Sequence, residues 1–209
     1  LGLDVDLQAV AKAKALLGRQ RHTVKSIPSL PWQEVPDFYS TLEEATVTHL
    51  ALRLLILTGL RCRPIRFVRL NEIDGDVWTV PAENMKARLG AAQNFRVPLS
   101  AEALAVIEQA RPFERNGFLF PSLRKGVISD ATMARLMERR GMETRPHGFR
   151  SSLRTWLAET TDAPHEVAEA MLAHMTDNKV VRTYRQTDYL ERRRILLERW
   201  AAFCCGRQS

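Results

Sequence analysis

A chain of 209 residues is long enough to bury one substantial core, with room for a fragment of a second domain. Its 31 lysines and arginines against 24 acidic residues give a net charge of +7 and a pI near 9.8, which favours a polyanionic partner such as nucleic acid or an anionic membrane. No apolar run approaches a membrane span, and Asp4 and Asp6 stand where a secretory signal would be basic. The cysteines, Cys62, Cys204 and Cys205, make neither a disulfide framework nor a zinc pattern, so a reducing, cytosolic setting is expected.

The first residue is Leu1 rather than Met, within what reads as a helix, and the chain is expected to be a piece of a longer protein. That helix runs over 5–17, with Gly18 as its stop. A basic polar stretch follows, Arg19 to Ser26, and then Pro28, Pro31 and Pro36 punctuate the chain. This reads as a linker, equally consistent with plain solvation and with a segment lying along a phosphate backbone. Helices are expected over 36–40 and 42–59, the second a core helix with Leu50, Leu54, Leu55 and Leu57 on a broad apolar face.

After Arg61 the pattern changes. Ile65–Ile73, Asp76–Val80 and Phe95–Leu99 carry β-branched and aromatic residues at strand lengths, separated by Asp74-Gly75 and by a turn around Lys86. They predict a small antiparallel three-stranded sheet. Ser100 caps a helix to about Ala110, and 117–121 reads as a short buried connection. The remainder reads as helices: 130–140 capped by Ser129 and ended by Gly141, 147–159 after Pro146, 164–172, one near 179–185, and 189–203 capped by Asp188. The expected class is α+β, mainly α-helical.

Several residues have side chains suited to a phosphate. Arg61 follows Thr58-Gly59-Leu60, where Gly59 can turn the chain and present a guanidinium, whose planar fork donates two parallel hydrogen bonds to an oxyanion. Lys86 sits near a hairpin tip, where it can enter a DNA groove or serve as a general acid. In His147-Gly148-Phe149-Arg150, His147 and Arg150 share a helix face, Gly148 permits a close approach and Phe149 packs inward. His174 follows Met171-Leu172-Ala173 at a helix end, and Tyr184 lies ten residues further on. A phenol of ordinary pKa near 10 is a poor nucleophile; surrounding cations would activate it and also meet the charge on a phosphate's non-bridging oxygens. Taken singly, each residue has a plain structural reading, as a helix-end ion pair, a solvated lysine, a capping histidine or a core tyrosine.

The order and intervals of the set carry more weight. Thr58-Gly59-Leu60-Arg61, Trp78-Thr79-Val80-Pro81-Ala82-Glu83-Asn84-Met85-Lys86, Val97-Pro98-Leu99-Ser100, His147-Gly148-Phe149-Arg150-Ser151, Leu172-Ala173-His174 and Tyr184-Arg185-Gln186-Thr187-Asp188-Tyr189-Leu190-Glu191-Arg192-Arg193-Arg194 together resemble the catalytic domain of the tyrosine recombinases, or phage-type integrases, most closely those of prophages, satellite phages and genomic islands. The resemblance covers about 12–203. It implies Tyr184 as nucleophile, forming a 3′-phosphotyrosyl enzyme and a free 5′-hydroxyl. It also implies Arg61, Arg150 and His174 on the non-bridging oxygens, Lys86 as proton donor to the leaving oxygen, and His147 in proton transfer or positioning. The bond energy is kept in the covalent link, so the family chemistry needs no metal, ATP or other cofactor.

The resemblance further implies that 1–18 is the last helix of a core-binding domain, 19–27 an interdomain linker, 28–203 the catalytic domain and 204–209 a tail. Arg19, Arg21, Lys25, Lys86 and Arg88 are the expected DNA contacts. The expected partners are double-stranded DNA at attachment sites and other copies of the chain, coupled through the C-terminal segment in a synaptic tetramer, with room for a host DNA-bending protein and a directionality factor. A bacterial cytoplasm, at the nucleoid, is the expected location. Two departures stand out: the family's usual acidic residue three positions after the first arginine is here Pro64, and Leu89-Gly90-Ala91-Ala92-Gln93-Asn94 is a longer, less basic turn after the lysine than is usual. Two other readings stay open, a DNA-binding relative with weak or no catalysis and a topoisomerase-like strand nicker.

Overall fold

The computed structural model describes residues 7–17, 28–85, 93–173 and 188–207. In chain order its helices and strands are α1 (Leu7–Leu17), α2 (Val35–Ser40), α3 (Val47–Thr58), α4 (Cys62–Arg66), β1 (Ile73–Asp74), β2 (Val77–Val80), β3 (Phe95–Pro98), α5 (Ala101–Ala110), α6 (Thr132–Arg139), α7 (Gly148–Thr160), α8 (His165–Met171) and α9 (Leu190–Cys204). The class is α+β, mainly helical, with an antiparallel sheet in the order β1-β2-β3. The helix expected near 179–185 lies outside the described residues. Among the described residues, no helix is long and apolar enough to cross a membrane.

Helix α3 is the centre of the core. Leu50, Ala51, Leu52, Leu54, Leu55, Ile56 and Leu57 are all buried, so this helix packs on nearly every side rather than along one stripe, with Arg53 reaching an ion pair to Glu102. It starts at Val47, later than the expected residue 42, because Thr46 is its cap: the Thr46 side chain accepts the His49 amide hydrogen. At the other end, Gly59 adopts φ 62°, and a Cβ there would meet Leu153 Cδ2 at 2.5 Å. The Ile56 carbonyl in that last turn accepts the indole N–H of the buried Trp200 at 2.9 Å. Helix α9 thus satisfies one of the carbonyls that α3 leaves without an intrahelical partner.

The first expected strand is corrected. Residues 65–73 form not one strand but the end of α4, a connection through Val68 and a single 3₁₀ turn, leaving Ile73–Asp74 as β1. Ile65 and Val68, both fully buried, lie three apart, a helical spacing that the β-branched composition disguised. Pro64 stands in the first turn of α4, where its missing N–H costs no helix hydrogen bond. β2 and β3 pair with Trp78 opposite Val97, both buried. A second correction concerns α6, which begins at Thr132; the Ser129 hydroxyl meets the Thr132 hydroxyl at 2.9 Å instead of capping a backbone amide. Gly141 does end this turn, at φ 74°.

Residues 28–30 run across the start of α7. A Cβ on Gly148 would lie 2.5 Å from the Pro28 carbonyl oxygen and 3.0 Å from Ser29 Cα, and the Ser152 hydroxyl donates to the Leu30 carbonyl. The neighbour at Gly148 is backbone and cannot swing aside. Gly148→Ala is therefore expected to destabilise the fold by about 2 kcal/mol, read as a Tm lower by roughly 4–8 °C; an unchanged Tm would contradict this packing.

Candidate active site

The loop from Gly59 to Arg61 delivers the first arginine. The left-handed Gly59 reverses the chain out of α3, Leu60 is buried, and Arg61 takes an extended backbone (φ −74°, ψ 164°) at the head of α4. Arg150 arrives from a different part of the sequence, on the inward face of α7 beside the fully buried Phe149. Arg150 is 3% exposed, and its guanidinium donates through Nη1 to the Gly59 carbonyl and through Nη2 to the Leu172 carbonyl, each at 2.6 Å. One side chain therefore joins the segment that carries Arg61 to the segment that leads into His174.

Arg61 and Arg150 wall one cleft of about 420 Å³, together with Leu60, Arg63, Pro64, Glu83, Asn84, Met85 and Ala173. Burial lowers the pKa of Arg61, and burial together with the charge of Arg61 lowers Arg150 to about 10. Both remain cationic at neutral pH. Two partly desolvated guanidinium groups facing one space repel each other, and a bound anion relieves that repulsion.

Met85 and Ala173 are the immediate chain neighbours of Lys86 and His174. Each lies on the wall of the same cleft. The Met85 approach is braced by Arg63, whose Nε donates to the Glu83 carbonyl at 3.2 Å. Ala173 is held at φ 49°, a left-handed conformation that a non-glycine residue rarely adopts. Strain of this kind persists where the surroundings enforce it, and here the neighbouring Leu172 carbonyl is gripped by Arg150.

His147 and Arg150 do share a face of α7, but not equally. His147 is exposed at the helix start, without a side-chain cap, while Arg150 is buried. Both border a second depression of about 210 Å³, with Ser151, Arg154, Thr155 and Leu172. Arg150 is the wall common to the two spaces. His147 borders the second. Lys86, His174 and Tyr184, and the expected DNA contacts Arg19, Arg21, Lys25 and Arg88, lie outside the described residues.

Sequence reading missed Arg63 and Arg154. Arg154 forms an ion pair with Glu169 at 3.1 Å and donates to His165 Nδ1 at 3.1 Å, tying α7 to α8. The signal was present, since Arg154 lies two turns along α7 from His147. Nothing in the sequence, by contrast, marks Arg63 as a brace for a segment twenty residues later.

A family model described as "Phage integrase family" matches residues 28–191. Prophage integrase IntA of Escherichia coli (strain K12) is 34% identical over 188 residues, covering 85% of this chain and 44% of that protein. The integrase of Enterobacteria phage P4 is 28% identical over 198 residues, covering 84% and 45%. The chain thus spans about half the length of these relatives. Among solved structures, the integrase from mycobacterium phage Brujita superposes with a TM-score of 0.63 at 21% identity, over 89% of this chain and 62% of that one. A lambda integrase dimer bound to a COC′ core site gives 0.58 at 19% identity, over 87% and 68%. The superpositions show the fold, and the family model over 28–191 leads to one assignment: the chain belongs to the phage integrase family.

Proposed function

We propose that this chain carries the strand-cutting and strand-joining centre of a site-specific DNA recombinase, with Tyr184 as nucleophile. The observation that supports it most is the cleft itself. Arg61 and Arg150 wall it, and so do Met85 and Ala173, each one peptide bond from Lys86 and His174. Four positions distant in sequence thus converge on one anion-binding space.

Tyr184 gives up its phenol proton, to His147 or to water, and its oxygen attacks the scissile phosphorus. A tyrosine–phosphorus bond forms, the phosphorus–O5′ bond breaks, and Lys86 gives its proton to the departing O5′. Arg61, Arg150 and His174 hold the non-bridging oxygens, and His147 assists proton transfer or positioning. A free 5′-hydroxyl then attacks the phosphotyrosine, returning the tyrosine and closing the new strand; no external energy source enters. Residues 28–203 are the catalytic domain in this reading. Residues 1–18 close a core-binding domain, and 19–27 link the two. Arg19, Arg21, Lys25, Lys86 and Arg88 follow the DNA backbone. The working form is a tetramer on paired attachment sites in a bacterial nucleoid, coupled through the C-terminal segment, with a host DNA-bending protein and a directionality factor as accessory partners.

A nicked suicide duplex carrying the attachment site tests this. The expected result is a covalent protein–DNA adduct and a salt-sensitive complex, its affinity falling roughly a thousandfold between 50 and 200 mM salt for about six phosphate contacts. Binding without an adduct would instead favour the second reading, an inert DNA-binding relative, for which Pro64 on the cleft wall in place of an acid is the supporting observation. An adduct with relaxation but no recombination between two sites would indicate a topoisomerase-like nicker.

A further inference from the structure

We propose that Arg96, Asp188 and Arg193 form a positioning clamp that fixes the downstream end of the tyrosine-bearing segment against the edge of the sheet, and that this clamp governs the rate of covalent attack and not DNA affinity. The proposal rests on Tyr184 being the nucleophile. The clamp itself consists of described residues with closed geometry.

Arg96, on β3, places both Nε and Nη2 2.9 Å from Asp188 Oδ2. Arg193, on α9, brings Nη2 to 3.5 Å from the same oxygen. The other carboxylate oxygen, Oδ1, accepts the Leu190 amide hydrogen at 3.2 Å, so Asp188 also holds the first residue of α9, one position ahead of its N-cap Tyr189. Arg193 is 1% exposed, donates through Nη1 to the Arg96 carbonyl at 2.8 Å, and stacks its guanidinium 4.9 Å from the centre of the Phe95 ring. The ring of contacts therefore closes on residue 96 twice, once through its side chain and once through its backbone. Among the described residues β3 pairs with β2 on one side, and α9 occupies its other edge through this contact.

Burial pushes the Asp188 carboxyl up, but hydrogen bonding from Arg96 and the charges of Arg193 and Arg96 outweigh it and hold the group below the usual carboxylate range. The carboxylate is thus ionised throughout the working pH range. Tyr189 sits at φ 56°, left-handed, between the clamp and the helix it starts. An L residue rarely adopts that region, and the cost is met where the surrounding structure enforces it.

Chain length turns this anchor into a positional constraint. Tyr184 precedes Asp188 by four residues, and four fully extended residues reach at most about 14 Å. The upstream anchor at Ala173 is eleven residues away and constrains the tyrosine far less. The clamp is the short tether, so it sets how much of the time the phenol is held near the cleft of its own chain.

The test uses the full-length protein, comparing Asp188→Ala, Arg96→Leu, Arg96→Lys and the double variant Arg96→Leu/Asp188→Ala. Single-turnover adduct formation on a nicked suicide duplex is expected to fall at least tenfold in Asp188→Ala and Arg96→Leu. Affinity for the uncut duplex stays within twofold, because neither residue faces the cleft. Arg96→Lys restores most of the rate, and the double variant is no slower than Asp188→Ala, since both belong to one unit. Trypsin cleavage at Lys179, Arg182 and Arg185 is faster once the clamp is broken. Adduct rates within twofold of wild type, or affinity falling in step with rate, would overturn the clamp. If Asp188→Ala fails to fold, the two exposed Arg96 variants carry the test alone. Wild-type protein that binds DNA without forming an adduct overturns the Tyr184 assignment and the clamp's kinetic role with it. A wild-type adduct that every variant forms at full rate overturns the clamp only.

Discussion

Tyr184→Phe will leave DNA binding intact and abolish the covalent adduct. The substitution removes one oxygen, the atom that bonds to phosphorus in the proposed mechanism, and leaves every residue that walls the cleft in place. No other group in the proposed mechanism forms a covalent bond, so the expected loss is complete, beyond the hundred- to thousandfold that follows from deleting one stabilising donor. Tyr189→Phe is the matched control, five residues on at the head of α9, where the backbone is left-handed and the side chain half-buried. It should form the adduct at a rate within a few-fold of wild type. A denaturing gel after incubation with a suicide duplex reads both variants, and the reverse pattern would reassign the nucleophile.

Arg150→Ala will be costly in two separable ways. The guanidinium supplies both hydrogen bonds that join the Gly59 and Leu172 carbonyls, and its loss leaves them without that partner in a buried place. Unsatisfied buried acceptors cost about 1–3 kcal/mol each, so a loss of roughly 3 kcal/mol in stability is expected, visible as a lower Tm. Adduct formation should fall by a further factor of at least about 10²–10³ among molecules that remain folded, because a cation facing the phosphate is gone. Arg150→Lys separates the two effects. It restores the charge but not the fork, since a single ammonium cannot match the planar geometry that spans both carbonyls. It should recover part of the stability and little of the rate. Arg150→Ala cleaving within tenfold of wild type would remove Arg150 from the proposed chemistry.

The corrected strand at 65–73 shows where sequence reading reaches its limit. A run of Ile65, Phe67 and Val68 has strand composition, yet Ile65 and Val68 point into the core from a helix turn and the connection after it. Period-2 and period-3.6 patterns cannot be told apart over so few residues, and the outcome was decided by Pro64 and by what α4 packs against. The Ser129 cap failed for a similar reason: a serine before a helix has several acceptable partners, and here its hydroxyl meets the Thr132 hydroxyl. By contrast, the long apolar period of α3, the turn at Gly59 and the cap at Ser100, whose side chain accepts the Ala103 amide hydrogen, were readable directly, because each depends on residues within four positions of itself.

The same division holds for the candidate site. By itself the sequence determined the composition of the phosphate-seeking set, its order, the family it resembles and the helix that carries His147 and Arg150, since all of these are properties of local patterns and spacing. Only the tertiary structure decided that Arg61 and Arg150 face one cleft, that His147 and Arg150 border a neighbouring depression, and that Arg63 braces the approach to Lys86. It alone brought Asp188 to Arg96, 92 residues away. The reason is physical: a buried guanidinium takes whichever carbonyls the packed helices bring to it, and those lie 91 and 22 residues from Arg150, far beyond the reach of any local pattern.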